Sequence, residues 1–290
     1  MSKQKNKPFK IKKKEFIKLL KQSLKDPEWL NNNIDSFFEQ LENTKVAENK
    51  KGKDLIVLEN ISKKFHNFKT NEVLMLFDDL NLKIKQNDII ALVGANGAGK
   101  STLVDIIVGY QQPTIGKVIY NFNYKNAPSE KMGIAYQKNA FLFSLTVWDY
   151  ISFTHGLYRS NITLEQLLVF IYSFGIEKVI ESKVSSLSGG QQQRLNAMLS
   201  LFHNPQFIFF DELCNNLDVI IKEKIINFIK RYIKTRKITG VLISHDAIEV
   251  ESLANRIVIL KDHTVFLDAK LKDAVKQFSG IHQLLEKGIR

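Results

Sequence analysis

Residues 90–102, Ile-Ala-Leu-Val-Gly-Ala-Asn-Gly-Ala-Gly-Lys-Ser-Thr, restrict the chain more than any other stretch. Ile89 to Val93 is a short, continuous and partly β-branched apolar run, the pattern of a strand buried on both faces. It leads into Gly94-Ala-Asn-Gly-Ala-Gly99-Lys100-Ser101, which has the glycine, four-residue spacer and Gly-Lys-Ser ending of a phosphate-binding loop. Leu103, Ile106, Ile107 and Tyr110 follow at helical intervals. Strand, glycine loop and helix are the context that motif requires. The glycines let backbone N–H groups curl around an anion, and the helix N-terminus adds partial positive charge. Lys100 then reaches the terminal phosphates, and the Ser101 hydroxyl is placed to ligate magnesium. A plain glycine-rich turn accounts for the glycines but not for their flanks.

Two further apolar runs end in polar groups suited to the same chemistry. Phe207–Phe210 delivers Asp211 and Glu212, and Gly240–Ile243 delivers Ser244, His245 and Asp246. Paired carboxylates beside a phosphate loop suit metal binding by Asp211 and alignment or deprotonation of water by Glu212. His245 is placed to contact the terminal phosphate. Strands that end in functional residues, with helices between them, predict an α/β fold with a mostly parallel core sheet and ligands at its carboxyl edge. Asp54–Phe65 and Val73–Ile84 alternate apolar and polar residues, as does Lys117–Phe122, which predicts an antiparallel β subdomain. Phe65 closes the first of these strands, where an aromatic ring either joins the core or stacks on a base. Met132–Tyr136 ends at Gln137. From Thr146 to Phe174 the period is helical, and Leu187-Ser188-Gly189-Gly190-Gln191 leads into another helix. Residues 256–268 read as a hairpin turning at Lys261–His263, and Leu271–Leu285 as one amphipathic closing helix.

Composition limits the setting. With 25% charged and 44% hydrophobic residues over 290 positions, the chain has the make-up of a globular protein with ample core. One cysteine, Cys214, excludes an internal disulfide framework and reads as a buried small residue. No apolar run approaches the 18 or more residues of a membrane span, and the lysine-rich start lacks the apolar segment of a secretory signal. Residues 1–25 hold ten lysines and one acid, Glu15, which is +9 of the total +12. Phe16, Leu19, Leu20 and Leu24 lie on one helical face, and Asp26-Pro27 resembles the start of a second helix. Residues 1–54 therefore read as a basic helical extension and linker. Its apolar face either caps the main domain or rests on anionic lipid or a partner subunit.

Taken together the motifs resemble the ATP-binding cassette (ABC) family, in particular the nucleotide-binding subunit of a membrane transporter, over about residues 55–268. Gly94, Asn96, Gly97, Ala98, Gly99, Lys100, Ser101 and Thr102 stand at its phosphate loop (Walker A) and Gln137 at its Q-loop glutamine. Leu187–Gln191 reads LSGGQ, the family signature, with Ser188, Gly189, Gly190 and Gln191 as nucleotide contacts. Phe207–Glu212 matches the Walker B strand and catalytic glutamate, Asn215–Asp218 the D-loop, His245 the switch histidine and Phe65 the aromatic that stacks on adenine.

The resemblance implies an ATPase fold with a helical subdomain near residues 140–200 and a C-terminal helix over 269–290. It implies ATP and magnesium as ligands, the metal held by Ser101, Gln137 and Asp211. It further implies a second cassette, homodimeric or heterodimeric, whose signature helix closes on this chain's ATP near Asp218, with Glu212, His245, Gln137 and Lys100 as the catalytic set. The expected partner is a transmembrane permease on a separate chain, at the cytoplasmic face of the membrane, with export the expected direction and an anionic membrane contact through residues 1–25. The alternative, a soluble ABC ATPase acting on ribosomes or nucleic acid, would bring a second cassette or a long coiled coil, and neither stands in this sequence. Leu213 replaces the family's usual proline, and Asn215-Asn216 replaces small D-loop residues; both touch communication across the dimer and leave every phosphate-contacting group in place.

Overall fold

The computed structural model describes residues 12–43, 53–67, 71–136, 141, 144–158, 162–215 and 217–289. Gln137 and Asn216 lie outside the described residues. The chain divides into two compact units. Val46–Ile134, Gln206–Glu212 and Lys237–Arg290 form a sheet unit; Met1–Lys45, Ala135–Pro205 and Leu213–Arg236 form a helical unit.

In the helical unit, α1 (Lys13–Ser23) and α2 (Pro27–Asn43) precede α4 (Val147–Leu157), α5 (Leu164–Ser173), α6 (Gly189–Ser200) and α7 (Val219–Arg236), while α3 (Lys100–Val108) belongs to the sheet unit. The chain starts α4, α5 and α6 with the same device, a capping box. Thr146 with Asp149, Thr163 with Gln166 and Ser188 with Gln191 each satisfy two backbone N–H groups reciprocally.

The extension packs on this unit. Phe16 is fully buried with its ring 4.9 Å from Trp148. Phe37 lies 5.4 Å from Phe170 and 5.9 Å from Phe228, and Phe38 lies 5.4 Å from Phe228. The Arg231 guanidinium pairs with Asp35 at 2.6 Å and sits 4.2 Å above the Phe38 ring. Of the two roles open to the apolar face of the first helix, the structure shows the cap: Phe16 and Leu20 are taken up by protein. Burying an aromatic side chain is worth roughly 2 kcal/mol, so Phe16, Phe37 and Phe38 hold both helices in place.

In the sheet unit, β1 (Asp54–Asn67) pairs antiparallel with β2 (Glu72–Lys85) and with β4 (Ile115–Tyr120), giving the three-stranded sheet that alternation predicts. The larger sheet has the order β5-β6-β7-β3-β8-β9, formed by β5 (Met132–Ala135), β6 (Phe207–Asp211), β7 (Thr239–Ile243), β3 (Ile89–Gly94), β8 (Arg256–Lys261) and β9 (Thr264–Lys270). β6, β7, β3 and β8 run parallel, and β9 returns antiparallel. Residues of β3, β6 and β7 are buried almost throughout, as strands covered on both faces must be. Arg256 ties the unit together: it grips Asp268 with two hydrogen bonds of 2.7 and 2.6 Å, meets Asp88 at 2.6 Å and donates to the Lys83 carbonyl.

The closing segment differs from the single helix expected. α8 (Ala247–Leu253) precedes β8, and the chain ends in α9 (Leu271–Gln277) and α10 (Ile281–Ile289). Ser279 and Gly280 break the run at φ 60° and 136°, the second a conformation that favours glycine. The break lets Leu271, Ala274, Ile281, Leu284 and Leu285 all pack on Ala91, Val93, Ile257 and Ile259 of the central sheet.

Candidate functional site

Parallel pairing fixes where the candidate residues emerge. Asp211 of β6 lies beside Ile243 of β7, and Ala91 of β3 beside Leu242. The loops after β3, β6 and β7 therefore leave the same carboxyl edge, with β7 between the other two. These loops carry Gly94–Thr102, Asp211 with Glu212, and Ser244 with His245.

The loop after β3 turns into α3 (Lys100–Val108) through Gly97 and Gly99, both left-handed at φ 84° and 89°. At Gly99 a side chain is excluded twice over. The backbone favours glycine, and a Cβ would come within 2.7 Å of the Phe77 ring. Lys100 Nζ donates to the Gly94 and Ala95 carbonyls at 2.6 and 3.0 Å, so the ammonium spans the mouth of its own loop. Burial lowers its pKa, and Asp211 and Glu212 oppose that by attraction. Burial also lowers the pKa of His245, Lys100 lowers it further, and Glu212 acts the other way. Lys100 thus lies within electrostatic reach of Asp211, Glu212 and His245, and His245 within reach of Glu212; Gln137 lies outside the described residues. Glu212 has φ 53°, an uncommon backbone for a glutamate, and its N–H donates to the Ile243 carbonyl at 2.8 Å. The turn costs about 1 kcal/mol or more, and such strain clusters at functional sites.

Sequence reasoning missed the support behind His245. Ser244 is buried and donates its hydroxyl to Glu249 at 2.9 Å while accepting the Asp246 N–H at 3.0 Å; Asp246 in turn caps α8 through the Glu249 N–H. Glu249 is 1% exposed, so its carboxyl is a buried anchor for the loop that bears the histidine. The signal was present as Ser244-His245-Asp246 with an acid three residues after the cap. Glu249→Ala leaves the Ser244 hydroxyl proton without its acceptor and is expected to cost about 2 kcal/mol in urea denaturation, while Glu249→Gln retains an acceptor and is expected to cost less than about 1 kcal/mol.

Phe65 on β1 is 40% exposed, with Lys63 Nζ 5.1 Å from its ring centroid. A half-exposed ring with a cation beside it is not a core position; it is a surface on which a planar base can stack.

The second group of candidates lies in the helical unit. Ser188, Gly189, Gly190 and Gln191 form the start of α6. They line an open cavity of about 540 Å³ together with Arg194, Asn215, Leu217 and Asp218. The glycines leave the first-turn N–H groups uncovered, which suits an anion. The Ser188 hydroxyl accepts the Gln191 N–H at 3.3 Å, and the Gln191 side chain returns the favour to the Ser188 N–H at 2.9 Å. Arg194, also unforeseen, braces this turn by donating to the Gly175, Phe174 and Gly190 carbonyls. Asp218 caps α7 through the Ile221 N–H, and Cys214 is buried, as expected.

Oxygen donors at the loop fit magnesium. The Ser101 hydroxyl in the first turn of α3 is exposed, and Asp211 is only partly buried at the strand end. Two hard oxygens from protein are what this cation takes when phosphate oxygens and water complete its shell.

Residues 77–215 match the family model described as ABC transporter. The chain is 29% identical to the spermidine/putrescine import ATP-binding protein PotA of Spiroplasma citri, over 73% of this chain and 60% of that protein's length. It is 28% identical to the nickel import system ATP-binding protein NikE of Staphylococcus aureus, over 71% and 88% of the two chains. Among solved structures it resembles the dimeric post-hydrolysis ATP-binding cassette MJ0796 bound to ADP and Pi, with TM-score 0.64 and 27% identity over 74% of this chain and 98% of that one.

Proposed function

We propose that the chain is an ATP-hydrolysing cassette of the ABC transporter type and that it powers a membrane permease by closing with a second cassette around ATP. Two half-sites carry this reading, each taken by itself. Lys100, Ser101, Asp211, Glu212 and His245 gather at one sheet edge, and a glycine-opened helix start at Ser188 lies in a cavity with Asp218. Each half is built for phosphate, and neither alone surrounds a γ-phosphate.

In the proposed reaction, ATP lies with its phosphates in the Gly94–Thr102 loop and its adenine against Phe65. Lys100 shifts from the loop carbonyls to the β- and γ-phosphate oxygens. Ser101 and Asp211, with Gln137 as a further ligand, would hold magnesium, which would supply positive charge to offset the charge on the phosphates. Glu212 accepts a proton from water as the water oxygen bonds to the γ-phosphorus and the bond to the ADP oxygen breaks. His245 donates to the γ-phosphate oxygens, and the partner's signature helix offers its N–H groups from the opposite side. Catalysis is then positioning and charge stabilisation. ATP holds the two cassettes together, and its hydrolysis releases them.

No helix among the described residues is long and apolar enough to cross a membrane, so the proposed permease contributes the spans. The expectation of export gains nothing from the relatives, whose names are those of import proteins. The proposal therefore covers the powering of a permease, whatever its direction. Affinity purification of the full chain from detergent-solubilised membranes tests it. A polytopic partner that raises magnesium-dependent ATP turnover severalfold is expected. A complex with ribosomes or nucleic acid and no membrane protein would overturn it.

A further inference from the structure

We propose that α1 presents a lysine rail that adsorbs on an anionic membrane surface and so orients the cassette beneath its permease. The proposal takes its setting from the transporter reading. At about 100° per residue, Lys14, Lys18 and Lys21 of α1 fall within roughly 60° of one another around the helix axis, over a length of about 10 Å, and Lys25 follows in the turn after the helix. All four are exposed. Phe16 and Leu20 point the opposite way and are buried. Among the described residues, the ion pairs at this helix, Lys12 with Glu15 and Lys13 with Glu181, use none of the four.

Packing decides the mode of attachment. A helix that floats in a bilayer interface sinks its apolar face among the acyl chains. Here that face is held against Trp148, so insertion would require the helix to leave its own protein. The remaining mode is electrostatic, through the rail, with Leu19 and Leu24 exposed on either side of it at 38% and 46%. Lys3, Lys5, Lys7 and Lys10 precede it in the sequence and carry the same charge. Lipid headgroups suit this surface better than nucleic acid does. The exposed face offers no aromatic ring on which bases stack, since the phenylalanine of this helix is buried.

Each lysine close to an anionic leaflet multiplies binding about fivefold, so the four together contribute on the order of several hundredfold. Deleting the extension is a poor test, because it uncovers Trp148, Phe170 and Phe228. Replacing all four lysines with glutamine leaves the packed face untouched. The full chain should sediment with vesicles of 30% phosphatidylglycerol in phosphatidylcholine, much less with pure phosphatidylcholine, and less as salt rises. The Lys14/Lys18/Lys21/Lys25→Gln variant should lose at least a hundredfold in vesicle affinity while melting and binding ATP like the parent. Equal sedimentation of parent and variant overturns the proposal, as does indifference to lipid charge. So does displacement from the vesicles by polyuridylate at equal phosphate concentration, which would assign the rail to nucleic acid. Nucleotide binding separates the two readings. A parent chain that binds ATP but ignores anionic vesicles refutes the rail alone, and one that binds no ATP refutes the cassette reading.

Discussion

Glu212→Gln is expected to lower ATP turnover at least a hundredfold and to leave ATP affinity within a few-fold of the parent. The side chain sits at the end of β6 in a left-handed turn, within electrostatic reach of Lys100 and His245. In its proposed role as general base it would contribute about 10²–10⁴ in rate. Glutamine fills the same volume and still accepts hydrogen bonds but cannot take the proton. Binding, which the proposal assigns to the Gly94–Thr102 loop, should survive. Single-turnover measurements of phosphate release check this; brisk release from the variant would remove Glu212 from its role and leave Asp211 or His245 as the candidate base.

The second large effect concerns a residue in the other unit. Ser188→Asp is expected to lower turnover at least a hundredfold without destabilising the fold. Aspartate is among the best residues to start a helix and complements the partial positive charge there. Thermal melting should therefore stay unchanged or rise. In the closed complex, however, the same carboxylate would face a γ-phosphate held by the opposite cassette, and replacing one donor at such a site with a like charge removes the stabilisation worth about 10²–10³ in rate. Loss of turnover with gain in stability is a combination that a merely structural role for Ser188 does not produce. Unaltered turnover would mean that nothing anionic approaches this helix start.

What the sequence made legible is what short stretches encode. The Gly94–Ser101 spacing, the apolar runs that end in Asp211 and His245, and the Ser188-Gly-Gly start of α6 each need only local chemistry, and each stands in the structure where it was expected. The hairpin turn at Asp262 and His263 was legible for the same reason, since both residues adopt left-handed backbone. Features that depend on distant parts of the chain were not. The periodicity of Phe16 and Leu20 showed an apolar face but not that Trp148, more than a hundred positions on, would cover it. Arg231 and Asp35 meet across a similar gap. Continuous amphipathic spacing across Leu271–Leu285 concealed the break at Ser279 and Gly280, because both halves bury the same kind of residue against one sheet. Ser244 and Glu249 escaped notice because a buried serine–carboxylate pair has no periodic signature.

The account depends on a nucleotide joining two cassettes, and sedimentation velocity reads that directly. With ATP and magnesium present, the Glu212→Gln chain should move as a species of twice the 33.4 kDa single-chain mass, and return to that of one chain when ATP is withdrawn. Adding Ser188→Asp to the same chain should hold it at the single-chain mass with ATP still bound. A doubled mass that persists in the double variant would contradict the composite site, and a Glu212→Gln chain that stays single at saturating ATP would contradict its assembly from two copies of this chain.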